Sequence, residues 1–153
     1  YVWTLEGWSY LAVVMDLYSR QIVGWAIDKR MKKQLTLDAL AMAYWRRKPS
    51  RGLLHHSDRG SQYACNEYQK RLRHYGMLPS MSRKGDCWDN APIERFFRSL
   101  KSERLASYRF ATRHSAETEI LDYITYYNSL RLHSTLGYKS PMTYEKELFR
   151  KVA

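Results

Sequence analysis

Two carboxylates stand where their surroundings could give them chemistry. Asp58 closes a short apolar run, Gly52 to Ser57 (GLLHHS), and is followed by Arg59, Gly60, Ser61 and Gln62. Read as a buried strand, that run puts Asp58 at its carboxyl end, where the ligand sites of open α/β sheets collect. A turn cap accounts for such an Asp equally well. Glu94 follows Pro92 in the first turn of a helix that Asn90 opens, and a carboxylate there complements the helix N-terminus. Arg98 and Lys101 come four and seven residues later, so Glu94 and two cations form one stripe beside the apolar stripe of Ile93, Phe96, Phe97 and Leu100. A surface helix gains a few tenths of a kcal/mol from such a Glu–Arg pair. A carboxylate flanked by cations is also what a site handling a phosphodiester with a divalent metal looks like. Spacing alone leaves both readings open.

The elements that must hold these residues can be read from periodicity. Ser9 to Asp16 and Gln21 to Ile27 are rich in β-branched and aromatic residues and flank the polar pair Ser19–Arg20, so they are expected to be antiparallel neighbours. Tyr1 to Thr4, ahead of the Glu6–Gly7 turn, reads as the tail of an earlier strand. The period then changes. Leu37, Leu40, Ala41 and Tyr44 predict a helix with Thr36 as N-cap, stopped by Pro49. A second helix is expected from Asn66 to Tyr75 with Gly76 as its stop, and Met77 to Met81 is a candidate fifth strand. The stretch 82–90 is a polar loop. After the helix beginning at Asn90, a last long helix is expected from near Ser115, burying Ile120, Tyr123, Ile124 and Tyr127. The order β-β-β-α-β-α-β-α-α indicates one mixed α/β domain.

Composition narrows the partners. In 153 residues there are 26 Lys and Arg against 15 Asp and Glu, a net charge of +11. The excess is spread, 13 basic against 6 acidic residues in 1–76 and 13 against 9 in 77–153, so the folded surface carries it rather than a tail. That points to a polyanion, above all nucleic acid. With 44% hydrophobic residues a wholly disordered chain is excluded. The longest apolar run, Leu11 to Met15, is far short of the ~20 residues of a membrane span. Cys65 and Cys87 form no CxxC pair, so a zinc knuckle is not indicated, and cytosol is the expected compartment. The first residue is Tyr rather than Met, so the chain is expected to be a fragment.

Three segments in order, HHSDRGSQY at 55–63, DNAPIERFFRSLKSE at 89–103 and YYNSLRLHSTLGYKSPMTYE at 126–145, together with EGWSYLAVVMDLYSRQIVGW at 6–25, closely resemble the catalytic core of OrfB-type transposases of bacterial insertion sequences, kin to retroviral integrases. Thirty-five residues separate Asp58 from Glu94 (94 − 58 − 1), the interval for which this acidic-triad family is named. The resemblance implies a ribonuclease-H-like mixed sheet of five strands flanked by helices, with residues 1–153 as a single catalytic core. It implies two Asp and one Glu gathering two Mg²⁺ ions, for which Mn²⁺ can substitute. Asp58 and Glu94 match the second Asp and the Glu. Arg98 and Lys101 match basic positions that contact the element end in integrase relatives. The implied activity is cleavage of element ends and their joining to target DNA without a covalent protein–DNA intermediate. DNA and further copies of the chain in a synaptic complex are the implied partners, in the bacterial cytoplasm and with no membrane.

The family's first Asp belongs to a segment resembling D-I-T-Y, of which Tyr1 is the last letter, so that Asp is expected upstream of this chain. Asp16 is the tempting substitute; its place between the two strands, near Ser19 and Arg20, reads instead as a turn carboxylate. The first strand is therefore expected to be truncated, and the chain as given to bind DNA without cutting it. His55 and His56 should fall on opposite faces of their strand. Asp86 and Asp89 read as solvated or capping, Tyr123, Tyr126 and Tyr127 as core, and Trp88 as a candidate DNA contact. Two rival readings stay in view. One is a catalytically dead DNA-binding remnant. The other is a ribonuclease-H-like nuclease on RNA–DNA hybrids, against which the 126–145 motif argues.

Overall fold

The computed structural model describes residues 1–82 and 90–152. The chain opens with an antiparallel meander of β1 (Val2–Thr4), β2 (Gly7–Met15) and β3 (Ile22–Asp28). Trp3 lies opposite Trp8, and Leu11 opposite Ile27. The first turn is closed by Thr4, whose hydroxyl donates to the Gly7 carbonyl at 2.7 Å. Gly7 takes φ 102° there, a region that side chains other than glycine's do not tolerate. At the second turn Asp16 Oδ1 accepts the N–H groups of Tyr18 (2.9 Å) and Ser19 (3.3 Å).

Helix α1 (Lys33–Arg47) lies across β2 and β3 on one face. It comes close enough that a Cβ on Gly24 would stand 2.3 Å from the Ala39 carbonyl oxygen and 2.7 Å from the Ala43 nitrogen. Ala12 and Ala39 are the small residues at this contact, with Leu35 packed beside them. Thr36 is not the N-cap that the sequence predicts: the helix begins three residues earlier, and the Thr36 hydroxyl, buried inside the first turn, donates to the Lys33 carbonyl at 2.9 Å. The expected stop holds, with Lys48 in the left-handed region and its N–H on the Tyr44 carbonyl at 2.7 Å, followed by Pro49. The opposite side of α1 presents Leu37 and Leu40 to Tyr68, Leu72, Tyr75 and Met77, and Tyr44 stacks on Tyr75 with ring centroids 3.8 Å apart.

Strand β4 (Leu54–Ser57) runs parallel to β5 (Leu78–Met81), connected through α2 (Ser61–Ala64) and α3 (Asn66–His74). The expected five strands are present in the expected order. Their hydrogen bonds make two ladders among the described residues, β1-β2-β3 and β4-β5, rather than one continuous sheet. The physical reason is visible in β2. β1 pairs only with Gly7 to Ser9, and the stretch of β2 from Tyr10 to Met15 faces a cleft whose other wall is β4.

Helix α4 (Ala91–Leu100) continues through a π-helical turn (Lys101–Leu105) to α5 (Arg113–Ser129). The long helix starts two residues before the expected Ser115, because Thr112 and Ser115 form a reciprocal capping box. A 3₁₀ turn (Ser134–Leu136) and α6 (Pro141–Val152) complete the chain; α2 and α6 were not anticipated by the sequence pattern. Phe96 and Leu100 pack with Ile22, Ile120, Tyr123, Ile124 and Tyr127 in the second core. Tyr123 and Tyr127 are thus core residues, and Tyr126 is exposed. Asn128 finishes this face as a neighbouring strand would: its Oδ1 accepts the Ile22 N–H at 2.8 Å and its Nδ2 donates to the Ile22 carbonyl at 2.9 Å. No helix among the described residues is long and apolar enough to cross a membrane.

The Gly24 contact yields a stability test. In Gly24→Ala the new methyl meets helix backbone, which cannot swing aside, so overpacking should cost at least about 2 kcal/mol, read as a lowered midpoint in urea unfolding. An unchanged midpoint would mean that α1 does not sit on β3 as described.

Candidate active site

Asp58 follows the last residue of β4. Its Oδ1 accepts the Gly60 N–H at 2.7 Å, folding the carboxylate over a backbone with no room for a side chain: a Cβ on Gly60 would lie 2.8 Å from that oxygen. The turn-cap reading of Asp58 is therefore part of its geometry. It is not the whole of it, because the second carboxylate oxygen has no hydrogen-bond partner among the described residues and the side chain opens onto the cleft.

Glu94 sits in the first turn of α4, exposed, and makes no hydrogen bond or ion pair with the described residues. What holds its helix against the strand that carries Asp58 is Ser82, a buried residue that the sequence did not single out. The Ser82 N–H donates to the Ser57 carbonyl at 3.0 Å. Its carbonyl accepts from Arg59 Nε at 2.9 Å. Its hydroxyl accepts from Asn90 Nδ2 at 3.2 Å. Asn90 thus caps α4 by position while its amide reaches back to the end of β5. One serine ties both carboxylate-bearing termini together, and nothing in its sequence context marks it.

Asp58 and Glu94 line a single cleft of about 850 Å³ between β2 and β4, with Tyr1, Tyr63 and Lys101 also in its wall. Arg98, on the same helix as Glu94, is exposed and outside the cleft lining. Lys101 places its Nζ 5.3 Å from the centre of the Tyr1 ring. Asp16 lines the cleft as well, but its oxygens serve the Tyr18 and Ser19 amides and face Arg47 at 3.6 Å. Two hard oxygen donors suit a divalent cation. Among the described residues there is no group of three or more His, Cys, Asp or Glu that could hold a metal; Asp58 and Glu94 are two carboxylates on one cleft. Asp86, Asp89 and Trp88 lie outside the described residues.

His55 and His56 point apart, as alternation requires. His55 Nε2 meets the Tyr68 hydroxyl at 3.1 Å, and His56 Nδ1 meets Ser80 Oγ at 3.0 Å. Burial raises Tyr68 well above the usual phenol range, so its hydroxyl stays protonated. Burial also lowers His55 from its ordinary 6.5 to about 4. Its imidazole is therefore neutral at physiological pH.

Two family models described as the integrase core domain match residues 1–87 and residues 75–141. The chain belongs to the integrase core domain family. This integrase core is 48% identical over 147 residues to the transposase for insertion sequence element IS904 of Lactococcus lactis, covering 95% of this chain and 58% of that protein. It is 46% identical over 148 residues to transposase InsF for insertion sequence IS3A of Escherichia coli K12, covering 96% of this chain and 51% of that protein. The chain therefore spans a little over half the length of these relatives. Among solved structures it is similar to the catalytic core domain of BIV integrase, with a TM-score of 0.69 at 17% identity over 95% of this chain and 91% of that one. It is also similar to the HTLV-2 integrase catalytic core domain solved in complex with magnesium, with a TM-score of 0.64 at 17% identity over 88% of this chain and 82% of that one. The fold of this integrase core is accordingly ribonuclease-H-like.

The His55 environment sets a pH dependence. Unfolding restores the ordinary value of 6.5, so between about pH 6.5 and 4 the unfolded chain binds a proton that the folded chain refuses. Stability from this group is complete above pH 6.5 and declines as pH falls toward 4. Urea unfolding across that range should show His55→Gln with a pH slope smaller by up to one proton. An unchanged slope would place His55 in a more open setting.

Proposed function

We propose that this integrase core cuts DNA at the ends of an insertion element and joins those ends to target DNA, with Asp58 and Glu94 as the carboxylates that hold divalent metal, normally Mg²⁺ in two ions with Mn²⁺ as a substitute. The observation that carries the reading is that Asp58 and Glu94, remote in sequence, open onto one cleft in a chain with net charge +11. Bound between such carboxylates, divalent metal supplies Lewis acidity toward a phosphodiester and a more acidic attacking hydroxyl. Asp58 is braced by the Gly60 N–H, and the Asn90–Ser82 contact holds the start of the helix that carries Glu94. Lys101, in the cleft wall, neutralises phosphate charge, and Arg98 follows the backbone farther out. Further copies of the chain bring two ends together in a synaptic complex in the bacterial cytoplasm.

The resemblance assigns the third carboxylate to a position ahead of Tyr1. Asp16 is committed to its turn, and two carboxylates are fewer than a two-metal site uses. That favours a second reading for residues 1–153 taken alone: they bind DNA and do not cut it.

In a chain extended upstream of Tyr1, Asp58→Asn and Glu94→Gln should each lower Mg²⁺-dependent cleavage of element ends by about two to three orders of magnitude, the scale on which removing a charge-stabilising group acts. Their unfolding midpoints should stay unchanged. Normal cleavage by either variant would remove that residue from the site.

For Arg98→Ala and Lys101→Ala, DNA titrations at several salt concentrations should give log–log slopes each reduced by about one unit. Slopes equal to the parent's would make these residues ordinary helix-surface charges.

A further inference from the structure

The hairpin of β1 and β2 is built inside out. Alternation sends Val2, Thr4, Ser9 and Leu11 to one face and Tyr1, Trp3, Trp8 and Tyr10 to the other. The inward face carries small polar residues, with Thr4 wholly buried and Ser9 nearly so. The outward face carries the large aromatics: Trp3 is 57% exposed and Trp8 42%. Farther along β2 the same face bears Ala12, where α1 packs; the aromatic end extends past the helix and is left open. Exposed aromatic surface of this size on a soluble chain marks a contact site.

The rings hold one another in an edge-to-face cluster. Trp3 and Trp8 meet edge to face with centroids 4.9 Å apart and planes at 72°, and Tyr1 meets Trp8 at 4.9 Å and 86°. Arg113 fixes the ribbon from behind, its Nε donating to the Trp8 carbonyl at 3.1 Å and its Nη2 to the Glu6 carbonyl. The Lys101 ammonium lies against Tyr1. Tyr1, Tyr10 and Lys101 also line the cleft that Asp58 and Glu94 share. The cluster is therefore continuous with the candidate active site, and a cation stands at the junction.

We infer that Trp3 and Trp8, with Tyr1, form a stacking platform for unpaired bases of the DNA strand entering the cleft. Rigid exposed rings beside a cation are what single-stranded nucleic acid uses: bases stack on the rings, and the phosphate between them meets the ammonium. In a blunt duplex only the terminal base pairs offer a free face, so few faces are available for stacking. This inference rests on the DNA reading above and adds a base-stacking surface distinct from the carboxylates and from Arg98.

The test uses the 153-residue chain, a labelled single strand, the matching blunt duplex, and a single strand carrying the fluorescent base aminopurine. Trp3→Ala and Trp8→Ala should each weaken single-strand binding by about 5- to 100-fold. Duplex binding should stay within about twofold, and the salt slope should not change, because stacking releases no counterions. Trp3→Phe should keep most of the single-strand affinity. The parent chain should quench aminopurine fluorescence on binding, a readout that does not depend on any variant folding. The inference is overturned if aminopurine is not quenched, if the alanine variants bind both substrates like the parent, or if both affinities fall together. It is also overturned if sedimentation shows that the variants only separate a dimer. A parent chain that binds neither substrate would sink the DNA reading itself, a result distinct from a parent that binds and variants that match it.

Discussion

The close seat of α1 on Gly24 is the constraint from which the rest of the architecture follows. A strand and a helix approach until the Ala39 carbonyl and the Ala43 nitrogen occupy the space a Cβ would need. That proximity lets one helix serve two cores. Its small residues, Ala39 and Ala43, face the meander, while Leu37, Leu40 and Tyr44 receive α3 and the Tyr75 ring. No ladder joins the meander to β4-β5 among the described residues, so α1 carries much of the load of keeping the cleft walls at a fixed separation. Arg47 at its end extends the same role, bonding Gln21 at 2.6 Å and Glu145 at 2.5 Å.

On that frame the site is assembled from two termini. Asp58 belongs to the α1–α3 half through β4, and Glu94 belongs to the α4–α5 half through Phe96 and Leu100. Ser82 joins them with backbone and side-chain hydrogen bonds reaching Ser57, Arg59 and Asn90. The Asp58 carboxylate is braced by its turn, and Glu94 is carried exposed in the first turn of α4. The C-terminal motif has a structural account of the same kind. Asn128 covers the edge of β3, Arg131 holds Glu103 with charge-assisted hydrogen bonds and lowers its carboxyl below the usual range, and His133 packs edge-on against Tyr127.

Much of this was legible in the sequence because local signals and tertiary role agree. A six-residue, largely apolar run ending at Asp58, and an Asn–Ala–Pro start followed by Glu94, announce a strand end and a helix start without knowledge of the fold. Where the reading missed, a local signal lost to context. Thr36 has the chemistry of a cap, but α1 extends three residues beyond it. Ser82 looks like any polar residue at a strand end, because its importance lies in partners up to 25 residues away. The aromatic platform required the register of the β1–β2 hairpin, since only the pairing of Trp3 with Trp8 reveals that both leave the core on the same face.

The central claim is that Asp58 and Glu94 act on one and the same cation. Paramagnetic broadening of the backbone amide NMR signals during a Mn²⁺ titration tests it most directly, because broadening reports distance to the ion rather than the consequences of a reaction. If both carboxylates hold one ion, signals following Asp58, at Arg59 and Gly60, and those around Glu94 on α4 broaden together with one common midpoint, and Mg²⁺ competes the effect away. Broadening at one carboxylate alone, or at the two with separate midpoints, would contradict it.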